Sequence, residues 1–243
     1  MHHVALERWS RGDSMLHQRD PRAKIVALAA FLMAVATADR GLPVLAGLLV
    51  VLLCGALRLA RLPLRGTLAR SALVLPFTLF FGAVCWAGGD AARGAALVLK
   101  SYLSALSVLL LVGTTPLPDL LRGMEALGAP RFLLMVAQFL YRYLFVICEE
   151  ARQMAQAAAS RGSTMSNFAS GRARFVAAAG ALAVLFTRSY SRAGEIHRAM
   201  LARAFPGHFR VLKSRRFRLA DAAFLFLAGA VPIVLRMGVE RFF

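Results

Sequence analysis

Two arginines set among very small residues are the groups in this chain best suited to chemistry with a partner. The first closes Ala157-Ala158-Ala159-Ser160-Arg161-Gly162, and the second closes Ala199-Met200-Leu201-Ala202-Arg203-Ala204, 42 residues further on. A helical projection of about 100° per residue puts Met154, Ala157 and Ala158 on one face with Arg161, and Ile196, Ala199 and Met200 on one face with Arg203. Each guanidinium therefore emerges from an apolar stripe. Small neighbours admit close approach and the planar fork of donors pairs with carboxylates, so the expected chemistry is insertion into a partner's cleft. Two such tips predict a partner present twice. The plainer alternative is that basic residues in a last helical turn complement the dipole and the free carbonyls. The repeated spacing favours docking.

Constellations for other chemistry are missing from the sequence. No lysine follows a glycine, so no Walker-type phosphate loop can be drawn. His2, His3, His17, His197 and His208 give no His-x-x-x-His pair, and there is no Gly-x-Ser-x-Gly elbow. Glu149-Glu150 is the one adjacent carboxylate pair, and it reads as the start of a helix leading to Arg161 rather than as an acid–base couple. A free Met1-His2-His3 terminus has the groups to chelate nickel or copper, but terminal tails are generally disordered and no second ligand set supports it. The reading is of a non-enzyme with no cofactor and no resident metal.

The elements that hold the tips follow from composition. The chain has 243 residues, is 59% hydrophobic and carries a formal net charge of +18, with a mean hydropathy of +0.63. Apolar content of that order would leave large patches exposed on a soluble domain, so the fold class is all-α and polytopic in a membrane. The arginines mostly flank apolar runs, which points to membrane orientation and not to nucleic acid. The first 22 residues are polar, with no apolar core of a cleavable signal. Cys54, Cys85 and Cys148 sit singly in apolar stretches and read as small buried hydrophobes.

About five spans are expected. Residues 1–24 form a cytoplasmic lead, 25–113 carry four transmembrane helices, 114–216 a cytoplasmic module of coupling helices, and 217–243 the last span and C-terminus. Asp20-Pro21 signals the first helix start, Asp39-Arg40-Gly41 the first turn, and Pro76 a kink in the third span. Arginine and lysine counts of five, one, four and one along successive polar segments place the N-terminus in the cytoplasm. Lys100, inside the fourth span, would cost roughly 2.5–3.5 kcal/mol at mid-bilayer and is expected to snorkel outward. An amphipathic helix with Asp119 in its first turn should end near Gly128. The runs 131–148 and 175–187 are apolar enough to score as spans. Arg142 in the first and the brevity of the second favour helices packed on one another at the membrane surface. Pro206-Gly207 should stop the second arginine helix, ahead of a basic flank of Arg210, Lys213, Arg215, Arg216 and Arg218.

Three stretches carry a family likeness: His17 to Lys24, with Asp20-Pro21-Arg22 at its centre; Thr114-Thr115-Pro116 with Asp119-Leu120-Leu121, through Pro130; and the paired tips. On these the chain resembles the transmembrane T component of energy-coupling factor (ECF) transporters, most closely the CbiQ type of cobalt or nickel uptake. The likeness covers nearly the whole chain in order. It implies a scaffold of the cell (inner) membrane that joins two cytosolic ABC-type ATPases, CbiO-like, to a CbiM-like substrate-capturing membrane subunit. It further implies that Ser160-Arg161-Gly162 and Ala202-Arg203-Ala204 stand where the family's Ala-Arg-Gly-like motifs dock on the ATPases. Serine before Arg161 and alanine after Arg203 depart from that pattern, and the alanine should end its helix less sharply. The Glu7-Arg8-Trp9-Ser10 lead and the chain length look like the metal group. The alternatives are a vitamin-specific relative and a stand-alone carrier with Lys100 and Arg142 along its path.

Overall fold

The computed structural model describes residues 9–10, 12, 14–38, 42–162, 171–207 and 219–242. The Met1-His2-His3 chelate, the Glu7-Arg8 part of the lead, the Asp39-Arg40-Gly41 turn and the basic flank from Arg210 to Arg218 lie outside the described residues. The described chain is helical: α1 Pro21–Ala36, α2 Leu42–Leu59, α3 Leu64–Ser71, α4 Leu75–Ala87, α5 Ala91–Thr114, α6 Leu117–Ala126, α7 Arg131–Ser160, α8 Gly171–Ala202, α9 Leu219–Leu225 and α10 Val231–Phe242. It divides into two compact units, one made of residues 1–128 with 213–243 and the other of residues 129–212.

In the first unit α1 is the hub, packing on α5, α6 and the last helices. Asp20 caps it by accepting from the Arg22 N–H at 2.9 Å, and proline opens its first turn. Its buried residues Ala23, Ala27, Phe31, Ala34 and Val35 recur at helical spacing. Phe31 and Val35 share one core with Leu45, Leu49, Leu53 and Leu57 of α2. Sixteen residues rise only about 24 Å, short of the roughly 30 Å hydrocarbon layer. Lys100 Nζ donates to the Ala36 carbonyl at 3.1 Å, so the charge of the fourth span covers an orphan carbonyl at the α1 C-terminus.

Proline acts on the third expected span as anticipated. A 3-10 turn, Ala72–Val74, interrupts the helix just before Pro76 in the first turn of α4, since proline has no N–H to donate to the carbonyl four residues back, that of Ala72, and its ring crowds that carbonyl. The α4 and α5 backbones touch where a Cβ on Gly94 would come within 2.6 Å of the Gly82 carbonyl oxygen. The last span carries a π-helical turn, Phe226–Ala230, with Gly229 facing Ala30.

Among the described residues four segments are long and apolar enough to cross a membrane: Leu64–Ala87, Ala91–Thr114, Arg131–Ser160 and Leu219–Val239, with Val44–Leu59 a shorter apolar helix. The first stretch of the first unit runs on to Gly128, beyond Gly113. The reason is that the amphipathic α6 packs on α1, with Gly123 against Pro21 and Ile25.

The second unit is a pair of long helices, and it corrects one expectation. Glu149-Glu150 does not start a helix but lies inside the continuous α7 of 30 residues. No proline or glycine separates residues 131–148 from 149–160, and a change from apolar to polar composition alters a helix's surroundings without breaking it. The apolar run 175–187 is likewise continuous with the Arg203 helix in the 32-residue α8. A second correction concerns the cysteines: Cys54 and Cys85 are half-buried, and Cys148 on α7 is exposed.

Candidate functional site

Arg161 and Arg203 occupy the same position in the same kind of helix end. After Arg161 the chain turns left-handed at Gly162 (φ 75°), with the Gly162 N–H bonded to the Ala159 carbonyl at 3.0 Å. After Arg203 it turns left-handed at Ala204 (φ 50°). There the Ala204 N–H reaches the Leu201 carbonyl at 2.9 Å and the Phe205 N–H the Met200 carbonyl at 3.1 Å. The second set is a Schellman cap with alanine at the position that favours glycine. The softer ending expected of Ala204 is therefore not found. The helix closes as sharply as glycine would close it, at the cost of placing a Cβ in the left-handed region.

Each tip is exposed: Ser160, Arg161 and Gly162 at one end, Ala202, Arg203 and Ala204 at the other. Ser160 turns its hydroxyl back to the Ala157 carbonyl at 2.9 Å, which leaves the surface beside Arg161 small and without a competing donor. Among the described residues neither guanidinium has an acceptor. The structure gives the two tips a common geometry, not a common pocket. Arg161 lines an open groove of about 850 Å³ with Met154, Ala157, Ala158, Glu150 and Arg192, and Arg203 lies outside that lining.

A second constellation was not read from the sequence as a site. Lys24, 5% exposed, donates from Nζ to the Thr114 carbonyl and to Thr115 Oγ1, each at 3.0 Å. The Asp20 N–H donates to Asp221 Oδ1 at 3.2 Å, and Arg19 stands 3.9 Å from the same oxygen. The His17–Lys24 and Thr114–Pro116 stretches, distant in sequence, thus meet through one buried ammonium, and the last span joins them through Asp221. The available signal was Asp221 itself, the single charge between Leu219 and Leu235. The described residues of the lead are folded onto this unit as well. Arg70 stacks 4.0 Å over Trp9, and His17 Nε2 donates to the Trp9 carbonyl at 2.8 Å while Nδ1 lies 2.7 Å from Ser14 Oγ.

An apolar cavity of about 590 Å³ in the first unit is walled by Phe31, Leu53, Leu110 and Phe224, with Arg19 and Lys24 at its polar end. Lys100 and Arg142, the charges assigned to a carrier path, do not line it; Arg142 lies over its neighbour Tyr143.

Helices of this length and apolarity, around buried charges hydrogen-bonded within the chain, define a multi-pass all-α membrane protein. The chain belongs to the CbiQ family of cobalt transport proteins, whose model matches residues 12–214. It is 31% identical over 166 residues to the cobalt transport protein CbiQ of Rhodobacter capsulatus, covering 64% of this chain and 66% of that one. It is also 31% identical to the energy-coupling factor transporter transmembrane protein EcfT of Bacillus selenitireducens, over 97% of this chain and 98% of the relative. The EcfT of Acidaminococcus fermentans is 28% identical over 84% of each chain. The family is one of transporter membrane components and not of enzymes.

Proposed function

We propose that this chain is the coupling subunit of an ECF-type importer of cobalt or nickel, carrying motion from two cytosolic ATPases to a substrate-capturing membrane subunit. The observation that carries this reading is the matched pair of helix ends, each presenting an exposed guanidinium whose donors are unengaged among the described residues. Two equal tips suit two equal motors. When nucleotide draws the ATPases together, each carries its tip with it, and the long helices behind the tips transmit the displacement towards the membrane. Residues 114–216 would act as the cytoplasmic module, with the N-terminus on the same side.

A metal cargo is supported by the match to a cobalt transport family over residues 12–214. A second reading, service to a vitamin-specific importer, is supported by the near full-length match to a protein named for energy coupling without a metal.

The test is the double variant R161A/R203A in the assembled transporter. Loss of ATPase co-purification together with loss of cobalt uptake is expected. Wild-type values of both would remove the docking role from these residues.

A further inference from the structure

We infer that Glu150 is a positioning residue: gripped by Arg188 and Arg192, it forms the pivot that fixes the separation of the two arginine tips. The inference rests on the docking role proposed for Arg161 and Arg203. Arg192 Nη1 stands 2.8 Å from Glu150 Oε2, and Arg188 Nη1 donates to Oε1 at 3.4 Å. Each oxygen of one carboxylate on α7 is thus paired with a guanidinium, Oε2 in a close ion pair with Arg192 and Oε1 in a long hydrogen bond from Arg188, the two arginines one turn apart on the same face of α8. The Glu150 side chain is only 12% exposed, on a helix whose one fully buried residue is Leu134. No residue of α8 is fully buried. A helix pair with so little apolar burial has little hydrophobic force to set its crossing angle, so the angle falls to the ion pair.

The spacing makes that pivot symmetrical. Glu150 precedes Arg161 by eleven residues, and Arg192 precedes Arg203 by eleven residues. Eleven residues make about three turns, a rise of roughly 16 Å, and return to within about 20° of the same face. Pivot and tip therefore lie on one side of each helix, at the ends of levers of equal length. A change of crossing angle of about 10° would move the tips relative to each other by roughly 2–3 Å. Guanidinium hydrogen bonds tolerate a few tenths of an ångström, so a clamp that holds the angle decides whether two tips can be seated together.

The test measures the geometry directly. Spin labels on Gln156→Cys and Arg198→Cys, both exposed, are placed in the full chain with Cys54, Cys85 and Cys148 replaced by alanine, in nanodiscs. The pair distance should be narrowly distributed. E150Q should broaden or shift it by on the order of 2–3 Å, and the charge swap E150R/R188E/R192E should restore it. An unchanged distribution in E150Q overturns the inference, as does a swap that folds and stays as broad as E150Q. Cobalt uptake per ATP hydrolysed is read in the assembled transporter, and it should fall in E150Q and recover in the swap. A shifted distribution with wild-type uptake per ATP would support the clamp and sink the docking role, so the two failures are distinguishable.

Discussion

The Lys24 ammonium donates to the Thr114 carbonyl at 3.0 Å, joining the start of α1 to the end of α5 across 90 residues of sequence. That carbonyl is one of the groups a helix end leaves without an internal partner, and Thr115 Oγ1 takes a second donor from the same ammonium. A charge with this little exposure is tolerated because its donors are engaged.

Removing that charge should be costly. Lys24→Met keeps most of the volume but strands buried acceptors, for an expected loss of about 1.5–3 kcal/mol. Lys24→Arg should not restore wild type, because a planar fork does not fit a site shaped for a point of charge. Thermal unfolding of the purified chain in detergent reads both. A Lys24→Met protein as stable as wild type would show that the contact contributes nothing net.

The helix ends give a prediction of opposite sign at equivalent positions. Ala204→Gly should stabilise the α8 end by about 1 kcal/mol, since the residue already sits at φ 50°. Gly162→Ala should destabilise the α7 end by about the same amount, from φ 75°. Amide exchange of the preceding turn would slow in the first variant and quicken in the second. Equal exchange in both would mean the left-handed caps are not populated in solution.

Much of this architecture was legible because its signals are local. Asp20-Pro21 starts α1, Pro76 breaks the third span and Gly128 (φ 96°) follows α6, each through the backbone chemistry of one or two residues. The tips were legible because a repeat at a fixed offset needs no tertiary knowledge. What escaped is non-local. Nothing near Lys24 says that its partners are Thr114 and Thr115, and nothing near Asp221 names the Asp20 N–H. The continuity of α7 through Glu149-Glu150 was hidden by composition, which reports surroundings and not helix ends.

Close approach in the first unit gives a third prediction. A methyl on Gly94 would meet the Gly82 carbonyl at 2.6 Å, so Gly94→Ala must push α4 from α5 and should cost about 1–3 kcal/mol. Gly47 has nothing within 4 Å of its missing Cβ, and Gly47→Ala should be neutral or stabilising by up to about 1 kcal/mol. The same detergent melts decide it, and equal shifts for the two variants would argue that α4 and α5 are not in backbone contact.

The most consequential prediction concerns which side of the membrane the tips face. The docking role needs both in the cytosol, on the side where the basic residues Arg65 and Arg70 of α3 are expected to lie. Yet α7 is long and apolar enough to cross, whereas α8 is not among the segments that qualify. If α7 crossed and α8 did not, both tips would emerge on the outer face; if both crossed, the tips would be parted. Arg161→Cys and Arg203→Cys, each in a background with the three native cysteines replaced, should react with a membrane-impermeant maleimide in inside-out vesicles. Neither should react in right-side-out cells, where a control cysteine at Gly89, in the turn between α4 and α5, should label. Labelling of either tip from outside would leave no cytosolic ATPase within its reach.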